Sequence, residues 1–344
     1  MDVVFTHVDG ENEEYRRVYL AQTNTVDVED VRCVSHGEIL LAVRLVLLHM
    51  PWIRAIYIVH AGSTTKHAAE LMAMDARVCL VPQAVILPPA YHNTVCSCTV
   101  EAYIHCIPRL SSYFIYMNDD MFIGRPLARA HWINGRVRYI DVSLRRSRLD
   151  GNEAQRHNTN AMELFLRRFG PIAGPRRFEV SHHAALVSRA ACELAHRMFE
   201  LDIAASCSIM CRSGSTLNFQ LLAALMAHHH GLGVLRYRRT VRIPGWSEIL
   251  CHGGANDLEC YDFIEANRPH MFCINGVTRD TEPHFRTMAA RYLTACKEDR
   301  QHRHTRMSRR ACEPAVARRM LQTRRGLRVL HLVGGSTCRQ PAAD

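Results

Sequence analysis

The chain has 344 residues, 48% hydrophobic and 22% charged, so it can bury a full core and is not a disordered chain. A formal net charge of +10 favours anionic partners such as nucleotide sugars, phosphorylated glycans or acidic surfaces. No apolar run is long enough to span a membrane, and residues 1–20 lack the layout of a signal peptide, so neither span nor leader is expected within it.

Residues 1–10 read MDVVFTHVDG, a short apolar strand broken at Asp9-Gly10, where nucleotide-binding α/β folds often receive the base. Residues 38–49 are helical, with a wide apolar face that includes Arg44, and Pro51 stops them. Glu38 and Arg44 either pair with each other or serve a site. Residues 56–59 form a buried strand, and residues 67–80 repeat the helix-strand alternation. Residues 95–106 read as a helix carrying Ser97, Glu101 and His105 on one stripe, which solvent exposure or a site would explain.

Residues 113–124, YFIYMNDDMFIG, are the most informative stretch. An aromatic strand stops at Asn118 and two adjacent carboxylates, Asp119 and Asp120. In an open α/β sheet, ligands bind beyond the carboxyl ends of the strands. Carboxylates there either cap a helix or hold a hard cation that carries a diphosphate.

Beyond Gly124 the pattern predicts a polar loop or flap over 141–158, a helix over 162–169 and a helix over 184–199 preceded by Ser181-His182-His183. A further helix is predicted over 216–228 after Arg212, and a strand over 272–275. This layout would set His182 and Arg212 at helix starts, where anions are favoured. From Arg300 onward the chain is basic and reads as a surface helix or loose tail. Fourteen cysteines without paired CxxC spacing suit a secretory compartment with some disulfides. The expected fold class is α/β, a largely parallel sheet flanked by helices. The expected domains are a catalytic 1–295, with 1–130 supplying the nucleotide-binding sheet and 155–295 completing the site, and a basic tail, 296–344.

Together these segments resemble the stealth family, which includes N-acetylglucosamine-1-phosphotransferase and capsule-polymer phosphotransferases. The second block carries the resemblance: PWIR at 51–54, IYIV at 56–59, Ser97, Glu101, His105, Ile107-Pro108, Leu110-Ser111 and FIYxNDDMF at 114–122. Residues 1–10 are similar to the first block, His182 and Arg212 to the third, and Cys273-Ile274-Asn275 to the fourth. The chain departs from the family at His7, usually tryptophan, at Thr216, often acidic, and at Gly276, usually aspartate.

The resemblance implies a nucleotide-sugar-transferase fold, Rossmann-like or GT-A-like, and transfer of a sugar 1-phosphate from a nucleotide diphosphate sugar to a glycan hydroxyl. His182, Arg212, Asp119 and Asp120 would be catalytic, and Asp119 and Asp120 would hold Mg²⁺ or Mn²⁺. Asp9, Gly10, Arg32, Glu38, Ser97, Glu101, Asn118 and Asn275 would bind substrate. The donor would be UDP-, GDP- or CMP-linked and the acceptor a glycan, with no nucleic acid involved. The resemblance also places the chain in the Golgi or a secretory lumen. An ordinary metal-dependent glycosyltransferase, or a non-catalytic glycan-binding relative, is the alternative.

Overall fold

The computed structural model describes residues 1–24, 35–143, 153–172, 180, 182–238, 250–252 and 257–311. Its elements in chain order begin with β1 (Asp2–His7), α1 (Glu13–Thr23), α2 (Glu38–His49), β2 (Ile56–His60), α3 (Ala68–Met74) and β3 (Val78–Pro82). Next come α4 (Ser97–Tyr103), β4 (Tyr113–Asn118), β5 (Met121–Ile123), β6 (Ile133–Asn134), β7 (Val137–Ser143), α5 (Glu153–Phe169), β8 (Ala185–Ser188) and α6 (Arg189–Met198). The remainder is α7 (Glu200–Cys207), α8 (Phe219–His229), β9 (Val234–Arg238), β10 (Leu250–His252), α9 (Asp257–Asn267), β11 (Met271–Asn275) and α10 (Glu282–Ala311). Residues Met1–Leu293 form one compact unit and Thr294–Asp344 a second.

The central sheet has the order β3-β2-β1-β4-β8. Its first four strands are parallel and β8 is antiparallel to β4. The strands are runs of Val, Ile, Phe and Tyr that are buried through nearly their whole length, as a sheet flanked by helices requires. From β1 the chain builds outward to β2 and β3, then crosses to β4 on the other side of β1. That reversal is a switch point, where the carboxyl ends of two neighbouring strands part and leave a crevice. His7 and Asn118 end those two strands.

Buried charge fixes the far end of the same strands. Asp2 is fully buried and takes N–H bonds from Arg54 Nε at 2.9 Å and Nη2 at 2.6 Å, and from the Ser111 backbone at 2.8 Å. The charge-assisted fork ties β1 to the lead-in of β2, and the Ser111 N–H ties it to the lead-in of β4. Two smaller sheets, β10-β11-β5 and β6-β7-β9, complete the described strands. Gly124 sits where β5 approaches the segment before β11. A Cβ there would lie 2.1 Å from the Pro269 carbonyl oxygen, so no other residue fits without displacing backbone.

Several sequence expectations need correction. Of residues 141–158, read as a loop or flap, 141–143 end β7, 153–158 are the first turns of α5, and 144–152 lie outside the described residues. The helix expected over 184–199 is a strand, β8, followed by α6, because the short apolar run pairs with β4 instead. The helix expected from residue 216 starts at Phe219, capped by the Asn218 side chain. Arg44 is exposed and pairs with Glu70, not Glu38. His105 lies beyond the end of α4 and is buried against the His196 ring at a centroid distance of 4.8 Å, so it leaves the Ser97–Glu101 stripe.

Candidate functional site

Asp119 and Asp120 form the turn between β4 and β5, where the chain passes from the central sheet into a smaller one. The Asp119 Oδ2 lies 2.7 Å from His7 Nδ1 at the end of the neighbouring β1. His7 is fully enclosed, and its Nε2 lies 3.2 Å from Thr65 Oγ1. The Thr65 hydroxyl in turn donates to Asp9 Oδ2 at 3.4 Å, which links His7 to the turn after β1. Asp9, just beyond β1, accepts from the Glu11 backbone at 3.1 Å and the Lys66 backbone at 2.7 Å, which pins the turn containing Gly10 to the loop after β2.

Asp120 meets two residues from distant parts of the chain. The Ile274 backbone N–H donates to the Asp120 carbonyl at 2.9 Å, which brings β11 alongside the turn. The neighbouring Cys273 is fully buried and hydrogen-bonds to the Asp120 carboxyl. Its Sγ is also 3.5 Å from His182 Nδ1. Donor atoms of Asp120, His182 and Cys273 all lie within 4.8 Å of one another. Burial, reinforced by the Asp119 charge, pushes the Asp120 carboxyl up to about 7, and the Cys273 bond opposes that rise. The Asp120 Oδ1 is buried and has no hydrogen-bond partner. Glu38, at the start of α2, is buried too and accepts from the His36 backbone at 2.7 Å. Burial raises its pKa, and the charge on Asp119 adds to the rise.

A second group assembles around Arg212. Its guanidinium acts on Glu101, Cys98 and His157, and its Nε lies 4.0 Å from Glu153 Oε2. The loop bearing it is held by α5: His157 Nε2 is 2.6 Å from the Ser213 carbonyl, and Asn160 donates to the Gly214 and Thr216 carbonyls at 2.9 and 3.0 Å. Thr216 is fully buried and spends its hydroxyl on the Ser213 carbonyl. Glu153 and Glu101 thus provide the carboxylates near Arg212 that Thr216 does not. Burial lifts Glu101 to about 7, with Arg212 and a Tyr116 hydrogen bond pulling the other way. Ser97 opens α4 one turn before Glu101.

The two groups join through Tyr116. Its hydroxyl hydrogen-bonds to Glu101, donates to Asn118 Oδ1 at 2.6 Å and lies 2.9 Å from Thr6 Oγ1. The structure therefore brings His182 to Asp120, and Arg212 to Glu101, with Asn118 between the groups. His182 leads into β8 and Arg212 lies in a loop six residues before the α8 cap, so neither stands at a helix start as expected. Asn275 ends β11, in register with His252. Arg32 lies outside the described residues. Sequence reasoning missed the parts played by Tyr116, His157, Glu153 and the Cys273 thiol. Of these only Tyr116, a hydroxyl in an otherwise apolar strand, carries a local signal.

Residues 32–139 match conserved region 2 of the Stealth proteins. Over that region the chain is similar to the stealth family. Its relatives include a capsular polysaccharide phosphotransferase of Aeromonas hydrophila, 26% identical over 305 residues, which cover 82% of this chain and 81% of that one. A capsular polysaccharide phosphotransferase of Neisseria meningitidis serogroup B is 34% identical over 140 residues, 38% of this chain and 37% of that one. An exopolysaccharide phosphotransferase of Mycobacterium tuberculosis is 31% identical over 186 residues, 50% and 34% of the two chains. Among solved structures, a galactosyltransferase bound to donor and acceptor sugar analogues aligns over 84% of this chain and 95% of its own. That alignment has 12% identity and a TM-score of 0.42, and adds nothing to what the strand order shows. These three relatives are bacterial and give no support to a Golgi location. Among the described residues, no helix is long and apolar enough to cross a membrane, and no disulfide joins the ten cysteines.

Proposed function

We propose that this protein transfers a hexose 1-phosphate from a nucleotide diphosphate sugar to a glycan hydroxyl, releasing a nucleoside monophosphate, and that residues 1–295 contain the chemistry. The observation that carries this reading is the meeting of His182 with Asp120 at the switch point of the sheet. An imidazole beside carboxylates at a crevice is what an in-line attack by a hydroxyl needs. The phosphotransferase relatives support sugar-phosphate transfer as the reaction class.

In this scheme the acceptor oxygen attacks the phosphorus bonded to the sugar, and the bond from that phosphorus to the anhydride oxygen breaks. The hydroxyl proton passes to His182, and the nucleoside monophosphate carries away the anhydride oxygen. Arg212 presents its planar fork to the phosphoryl oxygens, with Glu101 and Glu153 holding it. Asn118, Ser97 and Glu101 line the donor side. The Asp9–Gly10 turn and Glu38 complete the donor pocket.

The carboxylates fit a divalent cation such as Mg²⁺ or Mn²⁺. The buried Asp120 Oδ1 has no partner, and Asp119 adds a second anion beside it. Bound there, such an ion would supply neutralisation of the diphosphate charge. His7 holds the Asp119 carboxylate in place from the floor of the site.

The test is His182→Ala, assayed with UDP- and GDP-linked sugars in Mg²⁺ or Mn²⁺. Donor affinity should change little while transfer falls by about 10²–10⁴-fold. Undiminished transfer would remove His182 from the chemistry. The CMP-linked donor expected from the resemblance does not fit this reaction: it has a single phosphorus, cannot yield both a sugar 1-phosphate and a nucleoside monophosphate, and serves as the negative control.

A further inference from the structure

We infer that Cys273, with Asp120 and His182, forms a three-donor site for a thiophilic divalent ion of the Zn²⁺ class, and that filling it switches off transfer. The inference concerns the site proposed above and depends on that reading only for its effect on transfer.

The donors differ in kind: a carboxylate oxygen, an imidazole nitrogen and a thiol sulfur, all within 4.8 Å of one another. Mg²⁺ and Mn²⁺ are served by oxygen and gain little from sulfur, whereas Zn²⁺ takes carboxylate, imidazole and thiolate together. A tetrahedral ion with bonds of roughly 2.0–2.3 Å needs its donors closer than this, so side-chain rotation must draw them inward by about 1 Å. The partnerless Asp120 Oδ1 and the close approach of Cys273 Sγ to His182 Nδ1 favour that contraction. Three elements that share no local sequence supply the donors: the β4–β5 turn, the lead-in to β8, and β11.

The consequence follows from the imidazole. A neutral ring that binds metal through Nδ1 carries its proton on Nε2 and has no lone pair left to accept one from a substrate hydroxyl. Ion binding also takes the proton from the Cys273 thiol. A thiophilic ion therefore occupies the base as well as a carboxylate.

Co²⁺, added as its chloride to the purified full chain, reports on this site by absorption. The expected result is a near-ultraviolet thiolate-to-cobalt band that saturates at one equivalent. Zn²⁺ should displace it and millimolar Mg²⁺ should not. Cys273→Ser should abolish the band and His182→Gln should weaken it, with circular dichroism confirming the fold of each. No band, or a band that survives Cys273→Ser, overturns the inference, since the chain has fourteen cysteines. If Cys273→Ser does not fold, wild-type binding by His182→Gln, whose side chain is only partly buried, overturns it instead. Zn²⁺ at saturation should also lower transfer by on the order of a hundredfold or more. A band without any donor turnover would defeat the proposed function and leave this site standing, and turnover without a band would do the reverse.

Discussion

Glu101→Gln should stabilise the protein at about pH 8 and change it little near pH 4.5. Burial lifts the Glu101 carboxyl from 4.5 to about 7, despite Arg212 and the Tyr116 hydroxyl. The folded value lies above the unfolded one, so the folded state keeps its extra proton between them. The stability this proton confers is complete below about pH 4.5 and is lost as pH rises through 7. At about 1.4 kcal/mol for each tenfold step in acidity, the interval amounts to about 3 kcal/mol at most. Glutamine keeps a polar amide beside Tyr116, whose hydroxyl donates to Asn118, and never ionises. Urea unfolding of wild type and variant between about pH 5 and 8 measures the difference. The gap should widen in favour of the variant as pH rises and level off above about 7. A gap that does not change with pH, or a variant weakest at pH 8, would show that Glu101 titrates as an ordinary carboxylate paired with Arg212.

Other outcomes follow from the same geometry. Arg212→Lys keeps the charge and loses the fork, so turnover should fall on the order of a hundredfold or more with the melting temperature little changed. Asp120→Asn should preserve the fold by circular dichroism and abolish transfer, and chelator should abolish wild-type transfer until Mg²⁺ or Mn²⁺ is restored. Full activity in chelator would leave the carboxylates needing another role. Gly124→Ala forces a methyl against the Pro269 carbonyl and should cost about 1–3 kcal/mol or more in denaturant unfolding. Arg54→Met leaves Asp2 buried with only the Ser111 N–H and should cost about 3–5 kcal/mol, less whatever solvent at the exposed Arg54 side recovers.

Much of the central sheet was legible because its strands are uninterrupted apolar runs separated by helical periods and stops. Residues 56–59 and 113–118 sit where the pattern put them, and Asp119 and Asp120 end their strand at the crevice. The second half read less well. Residues 185–188, ALVS, are too short to separate strand from helix by periodicity, and only pairing with β4 decides them. The aromatic run hid a second break, since Met121–Ile123 belongs to another sheet. At the site, the types of Asp119, Asp120, His182 and Arg212 suggested charge chemistry, but the neighbours that tune them did not show. Cys273 lies in an apolar strand where a thiol looks like packing, and its approach to Asp120 depends on a backbone bond from Ile274 that spans more than a hundred residues. His7 stood out only as a polar residue ending an apolar strand, and its bond to Asp119 depends on β1 and β4 being neighbours.

The central claim, transfer of a sugar phosphate, is tested most directly by identifying both products of one turnover. The purified chain is given a UDP- or GDP-linked sugar, an acceptor glycan and Mg²⁺ or Mn²⁺, and the mixture is read by phosphorus NMR and nucleotide chromatography. Sugar-phosphate transfer gives a new phosphodiester on the glycan and one nucleoside monophosphate for each acceptor modified. Release of nucleoside diphosphate, with a glycan that gains sugar but no phosphorus, would contradict it.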